Sequence, residues 1–295
     1  MHVDHYKLAQ FPIRITYADE MANASLIPSF EPFRINACDD SKLLLSILVD
    51  NHYHPEKKGK EIGQFDSGGA KHGVYQKKDE GYQILISDVD DTRVAFLESD
   101  SDFSHCTVVL LAHGWEARNY GFNNALMLAY AFACATKETI LIHSSVVRHN
   151  NRAYLCLGRS GTGKSTHVSL WLKYIPGCDL MNDDNPIIRY IDGQPIIFGS
   201  PWSGKTPCFR NINSRIGAFI QLQQKPQNTI EQLKPIKGFA YLLPACSIMK
   251  WDRRIFNGIC DTLTNMLSTV PCFLLGCRPD EEAVRLSHTT VTKMP

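Results

Sequence analysis

Apolar positions follow two different spacings along the chain. In roughly the first hundred residues, short runs rich in β-branched and aromatic side chains recur between turn signals. Residues 43–49 (LLLSILV), 81–87 (GYQILIS), 93–97 (RVAFL) and 106–111 (CTVVLL) read as strands. The stretch 51–73 between the first two is polar and glycine-rich and reads as a long turn or mobile loop. From Trp115 the period lengthens, with Phe122, Leu126, Met127, Tyr130 and Ala133 recurring at three and four, which predicts a helix. Its apolar heart at 125–135 (ALMLAYAFACA) falls well short of the ~20 residues a bilayer requires, so the helix is expected to be buried in the fold.

The second half mixes both periods. A strand at 139–147 (TILIHSSVV), a polar turn at 148–152 and a strand at 153–157 lead into a glycine-rich loop. A helix over 164–174 follows and stops before Pro176-Gly177. Residues 187–190 and 195–198 flank Asp192-Gly193, a strong hairpin signal. A helix at 253–267, a strand at 272–275 and a helix at 280–287 complete the pattern. The chain therefore reads as α/β (α+β overall), with an N-terminal β-rich domain ending in a helix (1–135) and a C-terminal domain (136–295).

Charge and cysteine usage narrow the picture. Thirty-one Lys and Arg against 30 Asp and Glu give a net charge of +1, so no chain-wide field draws the protein to nucleic acid or an anionic membrane. Residues 1–7 carry acid and polar groups where a signal peptide needs an apolar run. The ten cysteines are scattered and form no C-x-x-C pair. They read as free thiols of a reducing cytoplasm rather than a disulfide scaffold or a zinc site. The basic run around Lys57, Lys58 and Lys60 is flanked by Glu56 and Glu61 and reads as a solvated loop.

The most informative segment is Gly158-Arg-Ser160-Gly161-Thr162-Gly163-Lys164-Ser165, followed by Thr166. It fits G-x-x-x-x-G-K-[ST] between an expected strand and an expected helix. Glycines let the backbone wrap a polyphosphate with its N–H groups turned inward, and the helix N-terminus adds partial positive charge. Lys164 would meet the β and γ phosphates, and the Ser165 hydroxyl would ligate Mg²⁺. ATP or pyrophosphate with Mg²⁺ is the expected ligand.

Two further segments follow. Asp183 and Asp184 are adjacent carboxylates at a strand end, and both cannot be buried without a cation. One would hold metal while the other accepts a proton from an attacking hydroxyl. The loop from Gly199 to Arg210 gathers small residues with Lys205 and Arg210 and reads as an anion-binding lid, with Trp202 able to cover a base or a substrate. His143, on the strand before the loop strand, stays open between a core histidine and a catalytic group.

A histidine before the loop strand, S-G-T-G-K-S-T at 160–166 and the Asp183-Asp184 pair resemble the kinase domain of HPr kinase/phosphorylase and the related phosphoenolpyruvate carboxykinases. The likeness covers residues 140–222 and implies a P-loop kinase domain with a mixed sheet. The segment Pro201-Trp202-Ser203-Gly204-Lys205 is similar to that of small HPr-kinase-like peptide serine kinases, the nearest in layout. The resemblance implies ATP/Mg-dependent phosphoryl transfer to a hydroxyl of a protein, a peptide or a small molecule. Asp183 would be the base and Asp184 and Ser165 (with Asp183 alongside) the metal side, with which aspartate plays which role open by one position; Lys164 and either Lys205 or Arg210 would neutralise the developing charge. The glutamate/arginine-rich signature of HPr kinases is missing, which removes HPr as the expected substrate. A carboxykinase-like enzyme and a non-catalytic nucleotide sensor remain as alternatives, and a homo-oligomer is left open.

Overall fold

The computed structural model describes residues 1–18, 22–55, 59–67, 69–204 and 206–293; Lys57, Lys58 and Lys205 lie outside them. Contacts divide the chain into two compact units, Met1–Cys134 and Ala135–Pro295. Each unit is built on a large mixed sheet, so the molecule is α/β.

The first unit holds β1 (His2–Leu8), β2 (Phe11–Tyr17), β3 (Arg34–Ile35), β4 (Leu45–Val49), β5 (Lys60–Ser67), β6 (Ala70–Gln76), β7 (Tyr82–Ser87), β8 (Arg93–Ser99), β9 (His105–Leu110) and α1 (Trp115–Cys134). The strands form one sheet in the order β3-β1-β2-β4-β9-β8-β7-β6-β5, parallel only at β2/β4 and β4/β9. The stretch 51–73 corrects the sequence expectation: most of it is β5 and the start of β6, an antiparallel hairpin rather than a loop. Its glycines and charges hide an inward side, on which Ala70, His72 and Val74 are buried. The helix α1 packs on β7, β8 and β9, with Phe132 against Phe103 and Phe65 and the Tyr130 hydroxyl donating to Leu8 O at 2.9 Å. Burial of that apolar helix is as expected, and no helix among the described residues is long and apolar enough to cross a membrane.

The second unit contains β10 (Thr139–Leu141), β11 (Ser144–His149), β12 (Arg152–Leu157), α2 (Lys164–Tyr174), β13 (Asp179–Asp184), β14 (Ile187–Ile191), β15 (Gln194–Phe198), β16 (Asn213–Gln224), β17 (Thr229–Leu233), α3 (Pro235–Leu242), α4 (Arg253–Thr269), β18 (Cys272–Cys277) and α5 (Glu281–Thr292). The main strand order is β10-β14-β15-β16-β12-β11-β13. The 12-residue β16 pairs β12 in parallel along one edge and, along the other, β15 and then β18, which carries β17. Helices α2 and α5 pack together, and a core including Val168, Trp171, Val284 and Val291 meets Cys156, Ile220 and Phe273 of the sheet. Asp192 and Gly193 both take positive φ, which suits the twist of the β14–β15 hairpin.

One departure matters for the site. The strand expected over 139–147 is two strands, because β10 pairs β14 while β11 pairs β12 and β13. They lie near opposite ends of the sheet order, yet Ile142 and His143 alone separate them in sequence, and Asn185 and Pro186 alone separate β13 from β14. The sheet therefore curls so that its ends approach, and Ile142 N donates to Pro186 O at 3.4 Å across that seam. His143 and Asp184 stand at the seam.

Candidate active site

The glycine-rich loop lies where parallel strands place ligands, at the carboxyl end of β12 and the start of α2. Gly163 precedes α2 with φ +104°, a left-handed conformation that an L side chain adopts only under strain, while its carbonyl accepts from His167 N at 2.8 Å. The loop is closed on itself by Thr162, whose N and Oγ1 donate to Arg159 O at 3.1 and 2.7 Å. Gln224 at the end of β16 braces it from outside, 3.4 Å from the carbonyls of Gly161 and Thr162. Ser160, Gly161 and Thr166 are exposed.

Lys164 is buried, and its Nζ donates to Gly158 O at 3.1 Å, bent back across the loop. Burial pulls its ammonium below the ordinary lysine value, and Asp184 and Asp183 oppose that shift. An ammonium held partly desolvated at the start of α2 is a strong partner for phosphate.

The two carboxylates have different surroundings. Successive side chains of a strand point to opposite sides, so Asp183 and Asp184 cannot share one environment. Asp183 is buried; its Oδ1 accepts from Ser165 Oγ at 2.8 Å and from Ser145 Oγ at 2.6 Å, while Oδ2 is buried with no hydrogen-bond partner. Ser145 stands directly opposite Asp183 on β11. Asp184 is part-exposed; its Oδ1 lies 2.8 Å from His143 Nδ1, and its Oδ2 accepts from Asn185 Nδ2 at 2.9 Å. The sequence reading held that the two could not both be buried without a cation, and only Asp183 is buried. Among the described residues no three His, Cys, Asp or Glu side chains gather to hold a metal on their own. The unpartnered Asp183 oxygen beside the Ser165 hydroxyl fits a divalent cation that completes its shell with phosphate oxygens and water.

His143 is fixed by its backbone, whose N donates to Ala245 O at 2.7 Å, and by a bridge between Ile142 and Cys246. Sequence reasoning placed His143 within a strand; it sits in the break between β10 and β11, where a side chain is free to face the carboxylate.

The segment 199–210 is not a free lid. Gly204 N donates to Asp183 O at 2.7 Å, and a Cβ at Gly204 would stand 2.7 Å from the same oxygen, so this close approach requires glycine. Trp202 is buried, and its carbonyl accepts from Asn182 Nδ2 at 3.2 Å, which makes it part of the wall instead of a cover for a base. Lys205 lies outside the described residues. Arg210 is not brought to the carboxylate pair: its guanidinium binds Asp179 Oδ2 at 2.9 Å and Leu180 O, at the far end of β13. Ser145, Gln224 and Asn182 escaped sequence reasoning because each acts through a partner far away in the chain; the serine pair before Val146 was the one local hint.

No protein-family model matches the chain, and no curated protein matches it. Among solved structures it aligns with the HPr(Ser) kinase/phosphatase from Coxiella burnetii at 12% identity and a TM-score of 0.31, over 52% of this chain and 99% of that one. A likeness that shallow adds nothing to the chemistry of the side chains.

Proposed function

We propose that this protein is a phosphotransferase that moves a phosphoryl group from ATP or pyrophosphate to the hydroxyl of a protein, a peptide or a small molecule. The observation that carries the reading is the unequal treatment of the two aspartates beside the phosphate loop: Asp183 buried under two hydroxyls with one oxygen unpartnered, Asp184 accessible and paired with His143.

The phosphate loop would bind the polyphosphate through its N–H groups, and Lys164 would swing from Gly158 O to the terminal phosphates. Ser165 and Asp183 would hold Mg²⁺, which neutralises phosphate charge and aligns the donor when bound. Asp184 would accept the proton of the attacking hydroxyl, oriented by His143. This exchanges the aspartate roles that the family resemblance first implies, and the reason is access: an acceptor hydroxyl reaches the part-exposed Asp184 more readily than the buried Asp183.

Incubation of the purified protein with γ-labelled ATP, Mg²⁺ and a panel of free serine, peptides and carrier proteins tests the reading. Label should appear on a hydroxyl acceptor and vanish in Lys164→Ala. Nucleotide binding without any turnover would favour a sensor, and phosphoenolpyruvate formed from oxaloacetate would favour a carboxykinase.

A further inference from the structure

The other end of the same strands carries a second concentration of charge. A cavity of about 460 Å³ is lined by Arg148, Arg152, Arg215, Asn150, Asn151 and Ser214 among others, and no acidic residue lines it. Arg152 and Gly158 are six steps apart along an extended strand, so at about 3.3 Å each the cavity and the phosphate loop lie roughly 20 Å apart.

The cavity is built by register. Arg152 opens β12 and Arg215 stands opposite it on β16, in a parallel pair that places both side chains on one face. Like charges opposite each other on neighbouring strands repel, and an anion between them turns that cost into attraction. Arg148 is held in place by Asp179, which accepts from its Nε at 2.9 Å and its Nη2 at 2.7 Å. The same carboxylate also takes Arg210, so it is shared between two guanidiniums and leaves positive charge in excess. Asn150 and Asn151 take positive φ at the β11–β12 turn, and the buried Ser214 hydroxyl pins that turn by donating to Asn151 O at 2.9 Å.

We propose that this cavity binds a phosphate-bearing anion at a site distinct from the phosphate loop. Guanidinium forks beside side-chain amide donors match tetrahedral oxyanion geometry. The site stands on its own residues and does not depend on the phosphotransferase reading.

Calorimetric titration with inorganic pyrophosphate in the Lys164→Ala protein tests it, with citrate as the carboxylate arm. Pyrophosphate should still bind, more tightly than citrate and more weakly as NaCl rises. Adding Arg215→Gln should weaken it at least about tenfold, and Arg152→Gln should do the same, as expected for charge-assisted hydrogen bonds. Both arginines are exposed, so the fold is expected to persist, and an unchanged Tm checks this. Absence of pyrophosphate binding in Lys164→Ala, or binding indifferent to both arginine replacements, overturns the site. Citrate binding as tightly as pyrophosphate overturns the phosphate assignment. The phosphotransferase reading stands or falls separately, on label transfer by the wild-type protein.

Discussion

Asp179 and Asp183 lie four residues apart on β13, and they illustrate two uses of one functional group. Asp179 is saturated: Arg148 grips it with two hydrogen bonds and Arg210 adds a third contact. Those guanidiniums, Arg148 foremost, hold its carboxyl below the usual carboxylate range. Asp183 meets two neutral hydroxyls through one oxygen and nothing through the other. A carboxylate whose oxygens are all engaged by cations belongs to the scaffold, because any ligand would have to displace arginine. A buried carboxylate oxygen without a partner carries a cost of about 1–3 kcal/mol, which a fold retains where something else is meant to bind.

The largest effect should come from Asp184, the base of the proposed phosphoryl transfer. Asp184→Asn is expected to lower turnover by about 10²–10⁴ while leaving nucleotide affinity within a few-fold, measured by label transfer and by equilibrium binding. Asp183→Asn should also collapse turnover, but by weakening Mg²⁺-dependent nucleotide binding. If Asp184→Asn turns over normally, the exchange of aspartate roles is wrong.

His167 sharpens the contrast, since its Nδ1 is also buried without a partner, yet no charge stands beside it. Burial lowers its pKa to about 4 from 6.5. Protonation is thus favoured in the unfolded chain, so the stability it contributes is complete above pH 6.5 and is lost as pH falls toward 4, by about 3 kcal/mol in all. Urea unfolding of wild type and His167→Gln across that window should show the wild type steeper; parallel curves would discard the account.

The smallest effect should fall on the saturated carboxylate. Asp179→Asn should leave turnover within a few-fold and cost about 1 kcal/mol of stability, a figure kept low because Asp179 is 38% exposed and water screens the pair. Loss of turnover in Asp179→Asn with no loss of stability would invert the comparison.

How much of this could be read from the chain depends on whether the information is local. The strand–loop–helix of β12 and α2 is legible because a strand, a glycine pattern and a helical period succeed one another in a dozen residues. The β14–β15 hairpin is legible for the same reason. The β1–β2 hairpin is not, although Tyr6, Leu8, Ile13, Ile15 and Tyr17 alternate inward, because Asp4 occupies an inward position that Arg34 neutralises from 30 residues away. Likewise β16 is buried along most of its length and gives no alternation. At the site, the types of residue were visible and their roles were not. The break at Ile142–His143 and the unequal burial of the two aspartates follow from strand pairing, which no single segment encodes.

Trp171 has an optical consequence. It lies fully buried on α2, two turns beyond Lys164, with its Nε1 donating to His167 Nε2 at 3.1 Å and to Ser287 Oγ at 3.0 Å. An indole in so dry a place emits at short wavelength, and an imidazole against its N–H quenches it once that imidazole is charged. The helix that follows the glycine-rich loop thus carries a built-in fluorophore, and the difference in emission between the wild type and Trp171→Phe separates its light from that of Trp115, Trp202 and Trp251.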